Sequence, residues 1–275
     1  VSKRSGLEKH LELDSDLAKL QLDGRFRYRD ILPKAASVLN EAQLFFQNNR
    51  SEIKRYYSKK EPDSARLDLN YDLEAADLNR LLKFMSVEAY VSAGSRLRGK
   101  LATDGTEEEL IASFSFDSVA FEGIAARALD GNLNIGKPTM SNAVSGRSRI
   151  DSRRLHLSEE YHFKNPHLLF KSKENHLNYV FRSTQAGPDK DFNLAGDVFF
   201  GETFIQHRFN SEESFLEIGK DRWRFSPDNF VELGKASIRF SDFRLGAGRQ
   251  QLHLTSGAAD QQDRVNIHID SLQLA

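Results

Sequence analysis

The chain has 275 residues, no cysteine, and 39 basic against 40 acidic residues, for a formal charge of −1. These numbers exclude a disulfide framework and a thiolate metal site, and a balanced charge with a near-neutral isoelectric point argues against a nucleic-acid protein. Twenty phenylalanines against one tryptophan favour a broad apolar lining, because Phe is bulky, strand-compatible and has no polar handle.

Residues 1–30 read as strands. Leu20, Leu22, Phe26 and Tyr28 are in phase, with Gly24 where a bulge is cheap. Residues 31–62 break the pattern: Ile31, Ala35, Val38, Ala42, Phe45, Phe46, Ile53 and Tyr56/Tyr57 recur at three- and four-residue steps, which predicts an amphipathic helix. Asp30 suits its N-cap, Pro33 its first turn, and Pro62 its end. Two readings compete for this helix. One is a membrane-surface element; the preferred one is a helix that plugs or caps a sheet, since Glu41 and Glu52 dilute the basic face.

Residues 63–275 read as a continuous run of strands, interrupted by a short helix near 76–86. Period-2 alternation puts Leu69 and Tyr71, Phe114 and Phe116, Phe121, and Leu133 and Ile135 on apolar strand faces. The pattern resumes with Leu177, Tyr179 and Phe181, and then Phe192 and Leu194. Trp223 to Gly257 reads as four short strands, with Trp223 and Phe225, Val231 and Leu233, Ile238 and Phe240, and Leu252 and Leu254 in phase; Val265, Ile267 and Ile269 close the set. Thr103-Asp104-Gly105, Asp130-Gly131-Asn132, Gly187-Pro188-Asp189 and Ser226-Pro227-Asp228-Asn229 read as turns between strands. With no helical crossovers, the expected fold is an antiparallel meander, all-β with helical insertions. About seventeen strands side by side make a sheet on the order of 80 Å long. Such a sheet must close, fold over, or curl into an open apolar groove.

Candidate chemistry is sparse. His156 and His162, around Glu159-Glu160 and with His167 beyond, resemble a metal site but fit no zinc spacing. Asp14/Asp16 and Glu107/Glu108/Glu109 suggest paired carboxylates, and the triplet reads more simply as a solvated turn. Trp223 suits sugar stacking, or more simply a lining position. Gly94, Gly99 and Gly105 make no phosphate loop, because no helix opens after them. The expectation is therefore a non-enzymatic protein with no metal and no cofactor.

Three stretches carry a family likeness: WRFSPDNFVELGKASIRFSDFRLGAGRQQLHLTSG with the following DQQDRVNIHIDSLQL, LKFMSVEAYVSAGSRLRGKLATDG, and QLDGRFRYRDILPKAASVLNEAQLFF. Together they resemble a periplasmic middle segment of the TamB branch of the AsmA-like superfamily, particularly its Bacteroidetes versions. The likeness covers nearly the whole chain, most specifically Trp223–Leu274, and carries no catalytic position across. It implies a long sheet curled into a groove (a β-taco) in an envelope protein anchored in the inner membrane by an N-terminal helix. It also implies a partner, an Omp85-family outer-membrane barrel of the TamA type, and roles in phospholipid movement and outer-membrane protein assembly. A start at Val1 fits a segment of something longer. In this reading the in-phase residues from Leu69 to Ile269 line a lipid-binding groove that takes acyl chains at ~0.8 kcal/mol per buried methylene. The rivals are a holdase for outer-membrane barrel proteins, pairing its sheet edge with their strands, and a β-sandwich adhesin with mutually buried faces.

Overall fold

The computed structural model describes residues 2–5, 8–48, 50–60, 66–121, 123–141, 143–157, 162–184, 191–234, 237–256 and 265–271. The turn expected at Gly187-Pro188-Asp189, the helix stop at Pro62, Gly257, and Glu159, Glu160 and Tyr161 lie outside the described residues. The protein is all-β with helical insertions: twenty-two strands and three helices are described. It divides into two compact units, Val1–His162 and Phe163–Ala275.

The first unit is an antiparallel meander. Strands β1 (Ser2–Ser5), β2 (Glu8–Asp14) and β3 (Ala18–Arg25) pair in sequence. Two helices follow, α1 (Tyr28–Gln47) and α2 (Arg50–Lys59), before β4 (Leu67–Ala75) returns beside β3. The single expected helix is thus two. Asn48 takes a left-handed φ of 48° at the α1 C-cap, and its N–H donates to Phe45 O. The N-cap is Arg27, with Asp30 inside the first turn.

Helix α3 (Leu78–Phe84) leads into β5 (Ala89–Val91). The Asn79 side chain holds it there by bonding both N–H and O of Val91. Strand β6 (Arg96–Thr103) lies between β4 and β7 (Glu107–Phe121). Strand β7 forms a long hairpin with β8 (Ile124–Pro138), each strand being 15 residues.

Asp130-Gly131-Asn132 is not a turn but the middle of β8. Glycine is required there for another reason. A Cβ on Gly131 would stand 2.5 Å from the Phe114 ring and 2.8 Å from Arg149 O. Aromatic rings lie over cross-strand glycines elsewhere too, Tyr71 opposite Gly99 and Tyr179 opposite Gly196, a pairing that compensates for the missing side chain. The other turn, at Thr103-Asp104-Gly105, is present: Asp104 Oδ1 accepts from the N–H groups of Thr106 and Glu107.

The long hairpin is served by two sets of neighbours. Its first part pairs with β6 and with β9 (Ser145–Asp151); beyond Ala128, at φ 48°, it pairs with β5 and with β10 (Arg154–His156). Serines bridge the discontinuity. Ser92 Oγ accepts from Ser118 N–H at 2.9 Å, and Ser152 Oγ lies 2.8 Å from Arg127 O.

Strand β11 (His162–Lys164) begins at the boundary, and the second unit repeats the device more fully. Strands β12 (His167–Lys173), β13 (His176–Ser183) and β14 (Phe192–Phe200) form a regular ladder. From there each rung is one strand with a break. Strand β14 pairs with β15 (Phe204–Phe209) and, past a break, with β16 (Phe215–Ile218). Next come β17 (Asp221–Phe225) beside β16 and β18 (Phe230–Gly234) beside β15. Then β19 (Ile238–Ser241) and β20 (Phe243–Ala247) lie beside β18 and β17 respectively. Strands β21 (Gln250–Ser256) and β22 (Val265–Asp270) complete the unit.

Ser226-Pro227-Asp228-Asn229 therefore does not reverse the chain. Strands β17 and β18 are antiparallel to successive parts of the same rung, so the tetrapeptide is a jog within one run. Each jog forfeits ladder bonds, and at two of them a fully buried side chain replaces them. Ser214 Oγ accepts from Ala195 N–H at 3.0 Å and donates to Ala195 O at 2.7 Å. Asn229 Oδ1 accepts from Phe209 N–H at 2.9 Å and its Nδ2 donates to Phe209 O at 3.0 Å. Like a bulge, a jog of this kind bends the strand while keeping buried polar groups paired.

Candidate functional site: a one-sided apolar sheet

Cross-strand register decides which side chains share a face, since directly opposed residues project to the same side. In the second unit, Leu168 opposes Phe181, which opposes Leu194; Leu177 opposes Val198, which opposes His207, Val231 and Phe240 in turn. Phe192 opposes Leu216, which opposes Trp223. Phe225 opposes Leu245, then Leu252, then Ile269; Leu254 opposes Ile267; and Leu233 opposes Ile238. Every expected lining residue in this unit thus stands opposite another residue of the same face or in phase with one.

Aromatic contacts knit the face together. Phe163, Phe181 and Phe192 pack edge to face at 5.1–5.7 Å. Phe209 stacks on Phe225 at 4.1 Å, and Phe243 meets Phe225 and Phe240 edge-on, each at 5.7 Å. Trp223, Phe225 and Leu245 are buried, with Leu194, Leu216 and Leu252 against them. Burial falls away toward β22, where Ile267 and Ile269 are 64% and 53% exposed. The other face is mixed: it carries cross-strand pairs such as Arg222–Glu217 and Arg239–Glu232, and also an aromatic contact of Phe199 with Phe204 at 5.9 Å.

One polar pair interrupts the apolar face: the Tyr179 hydroxyl and His207 Nε2 are hydrogen-bonded. Burial pushes the Tyr179 hydroxyl up and the His207 imidazole down, with Asp197 opposing the His207 shift. At neutral pH the pair is uncharged, as an apolar surface demands.

The first unit has the same face, with part of it covered. Leu69 opposes Leu101, which opposes Leu110, which opposes Ile135; Phe114 opposes Leu97; Leu133 opposes Ala112; and Phe116 opposes Leu129. Phe121, expected on this face, opposes Ile124 at the hairpin end but stands an odd number of residues from Phe114 and Phe116, out of phase with them, and the two are 50% and 45% exposed. Two steps before Leu110 and two after Ile135, this face carries Glu108 and Lys137, both buried.

Helices α1 and α2 sit on that end through an ionic cluster. Lys137 Nζ lies 2.6 Å from Glu41 and 3.0 Å from Glu108; Lys34 reaches Glu108 at 2.7 Å; and Lys60 reaches Glu41 at 2.7 Å. Tyr56 and Tyr57 donate to Glu41 at 2.7 and 2.8 Å. Burial would raise the Glu41 carboxyl, but hydrogen bonds from Lys137, Lys60, Ser37 and Tyr56 outweigh it and hold the pKa at about 2. Periodicity had no means of finding this cluster, because Lys34 and Glu41 look like solvated helix positions until β7 and β8 supply their partners. Nor is Glu107–Glu109 a solvated turn: it opens β7, with Glu108 in the cluster.

The remaining candidates stay apart. His156 and His162 place their Nδ1 atoms 3.0 Å apart, whereas His167 belongs to the second unit. Among the described residues no group of three or more His, Cys, Asp or Glu is placed to hold a metal. Asp16 pairs with Arg80, and Asp14 stands opposite Lys19. A cleft of about 720 Å³ opens among Arg25, Asp68, Lys100 and Glu109, with Glu108 and Lys137 of the cluster also in its lining. Among the described residues no helix is long and apolar enough to cross a membrane.

Fold and face together define a class: an antiparallel sheet protein with one continuous apolar face in each unit. No family model, curated protein or solved structure matches the chain.

Proposed function

We propose that this chain is a periplasmic segment of a TamB-like protein that carries phospholipid acyl chains along its apolar sheet face, without catalysis, between the inner and outer membranes. The full protein would meet the inner membrane through an N-terminal anchor and the outer membrane through an Omp85-type barrel. The observation that supports this most is the set of cross-strand rows in the second unit, which share one face from Leu168 to exposed Ile267 and Ile269. An acyl chain needs no hydrogen-bond partner, so a face rich in Phe and Leu and poor in polar groups suits it. Each methylene withdrawn from water contributes ~0.8 kcal/mol.

The test is phospholipid recovery and vesicle-to-vesicle transfer with the chain, against the double variant Phe240→Asp/Leu254→Arg. Transfer lost in a folded double variant supports the conduit; unimpaired transfer by that variant overturns it.

One observation favours a second reading, a holdase for outer-membrane barrel proteins. Strand β22 pairs with β21 on one side, and among the described residues nothing pairs with the other. Such an edge accepts an incoming strand. Crosslinks from β22 backbone positions to an unfolded barrel peptide, with no lipid recovered, would favour this reading over the conduit.

A further inference from the structure

We propose that the α1–α2 hairpin is a docking surface for an anionic phospholipid bilayer. Its inner side is committed to the sheet: Val38, Glu41 and Phe45 are buried. Its outer side is not. Leu32, Leu39 and Phe46 recur every seventh residue and are 79%, 52% and 37% exposed. At 3.6 residues per turn the three fall within an arc of about 40°, turned roughly 130° around the helix from the mean direction of Val38, Glu41 and Phe45. The helix therefore has two apolar stripes, and the sheet covers only one.

Charge points to the occupant. Residues 28–60 carry seven Lys and Arg against three Asp and Glu, in a chain whose formal charge is −1. Glu41, the acid that most dilutes this excess in the sequence, is fully buried and faces the lysines of the cluster. Glu52 lies 3.8 Å from Arg55. With Lys34, Glu41 and Lys60 set aside in the cluster, five Lys and Arg still stand against two Asp and Glu in this stretch, so a basic excess remains.

A cleft of about 430 Å³ is lined by Asn40 and Leu44 of α1 and by Glu52, Arg55, Tyr56 and Lys59 of α2. Lys60, also in its lining, belongs to the ionic cluster. That cluster sets three ammonium groups against two carboxylates, so a surplus positive charge backs the cleft. An exposed apolar stripe beside a cleft that carries Arg55 and Lys59 matches the interfacial plane of a bilayer with anionic headgroups. A helical protein partner fits less well. The alternate positions of the seam are Ala36 and Gln43, one small and one polar, which leaves every second knob of a coiled coil missing.

The test uses the full chain and flotation with two sets of vesicles, phosphatidylcholine alone and phosphatidylcholine with phosphatidylglycerol. The chain should float with the anionic vesicles and release as salt shortens the Debye length from ~10 Å at 0.1 M to ~3 Å at 1 M. Lys54→Gln/Arg55→Gln/Lys59→Gln should weaken binding on the order of 100-fold, at ~1 kcal/mol per cation. Leu32→Ser/Leu39→Ser/Phe46→Ser should weaken it roughly tenfold or more. All six positions are on the surface, and an unchanged melting curve separates lost binding from lost folding. The groove variant Phe240→Asp/Leu254→Arg should still float, which separates docking from acyl-chain transfer. Absence of flotation with anionic vesicles overturns the proposal. So does flotation that survives both triple substitutions, or equal flotation with neutral vesicles.

Discussion

The two units build the same kind of surface and finish it differently. In the first, α1 and α2 cover one end of the apolar face and are fastened by five buried charges. In the second, no helix is described, and aromatic side chains pack against one another along the sheet. One face is thus held by electrostatics whose partners lie far apart in sequence. The other is held by side-by-side hydrophobic contact. The lesson is that an apolar sheet face has two stable treatments: a cap, or enough self-packing for the face to remain available.

This contrast can be broken most forcefully at its two anchors. Lys137→Ala leaves Glu41 and Glu108 short of a buried countercharge and should destabilise the first unit by about 3–5 kcal/mol. Chemical denaturation, with limited proteolysis between α2 and β4 as the local readout, should show that loss without early cleavage in the second unit. Trp223→Ala should do the reverse, destabilising the second unit by about 3–5 kcal/mol through cavity formation. Coincident loss of both units in either variant would contradict the separation.

Next in size are the jogs. Asn229→Ala orphans the N–H and O of Phe209, which the amide bridges, and should cost about 1–3 kcal/mol. Hydrogen exchange at Phe209 should accelerate in that variant, while exchange in the β12–β13 ladder stays unchanged.

Acid offers a gentler probe with a different window for each unit. The folded Glu41 pKa is depressed, so its contribution is present above its ordinary value near 4.5 and is lost as pH falls toward about 2. The folded His207 pKa is also lowered, from 6.5, by burial. The unfolded state therefore takes up this proton first, and stability of the second unit declines as pH falls below 6.5. Melting curves from pH 7 to 3 should show the second unit softening first. His207→Gln should flatten its slope between pH 6.5 and 5.

Much of the face was legible in the sequence, for a local reason: strand periodicity is written residue by residue. The parity of Tyr179 and Phe181, of Trp223 and Phe225, and of Leu252 and Leu254 is the parity seen in the cross-strand register. What failed depends on who lies opposite. Gly131 read as a turn because the sequence does not say that the Phe114 ring crosses it. Ser226 to Asn229 has turn composition, yet its Asn amide imitates a neighbouring strand, and the chain jogs instead of reversing. Glu41 read as a surface acid because its lysine partner, Lys137, lies on β8. Membership of a long groove, its lipid cargo and its membrane partners are proposals that rest on the face and on the family likeness.

The central claim concerns access of acyl chains to the second unit, and the chain has a single intrinsic probe there. Trp223 is its only tryptophan and lies on the apolar face against Leu194 and Leu216. Titration with phospholipid brominated on its acyl chains should quench Trp223 emission saturably, and the Phe240→Asp/Leu254→Arg variant should lose that quenching. Emission that stays unchanged at saturating brominated lipid would contradict the account and make this face a closed core.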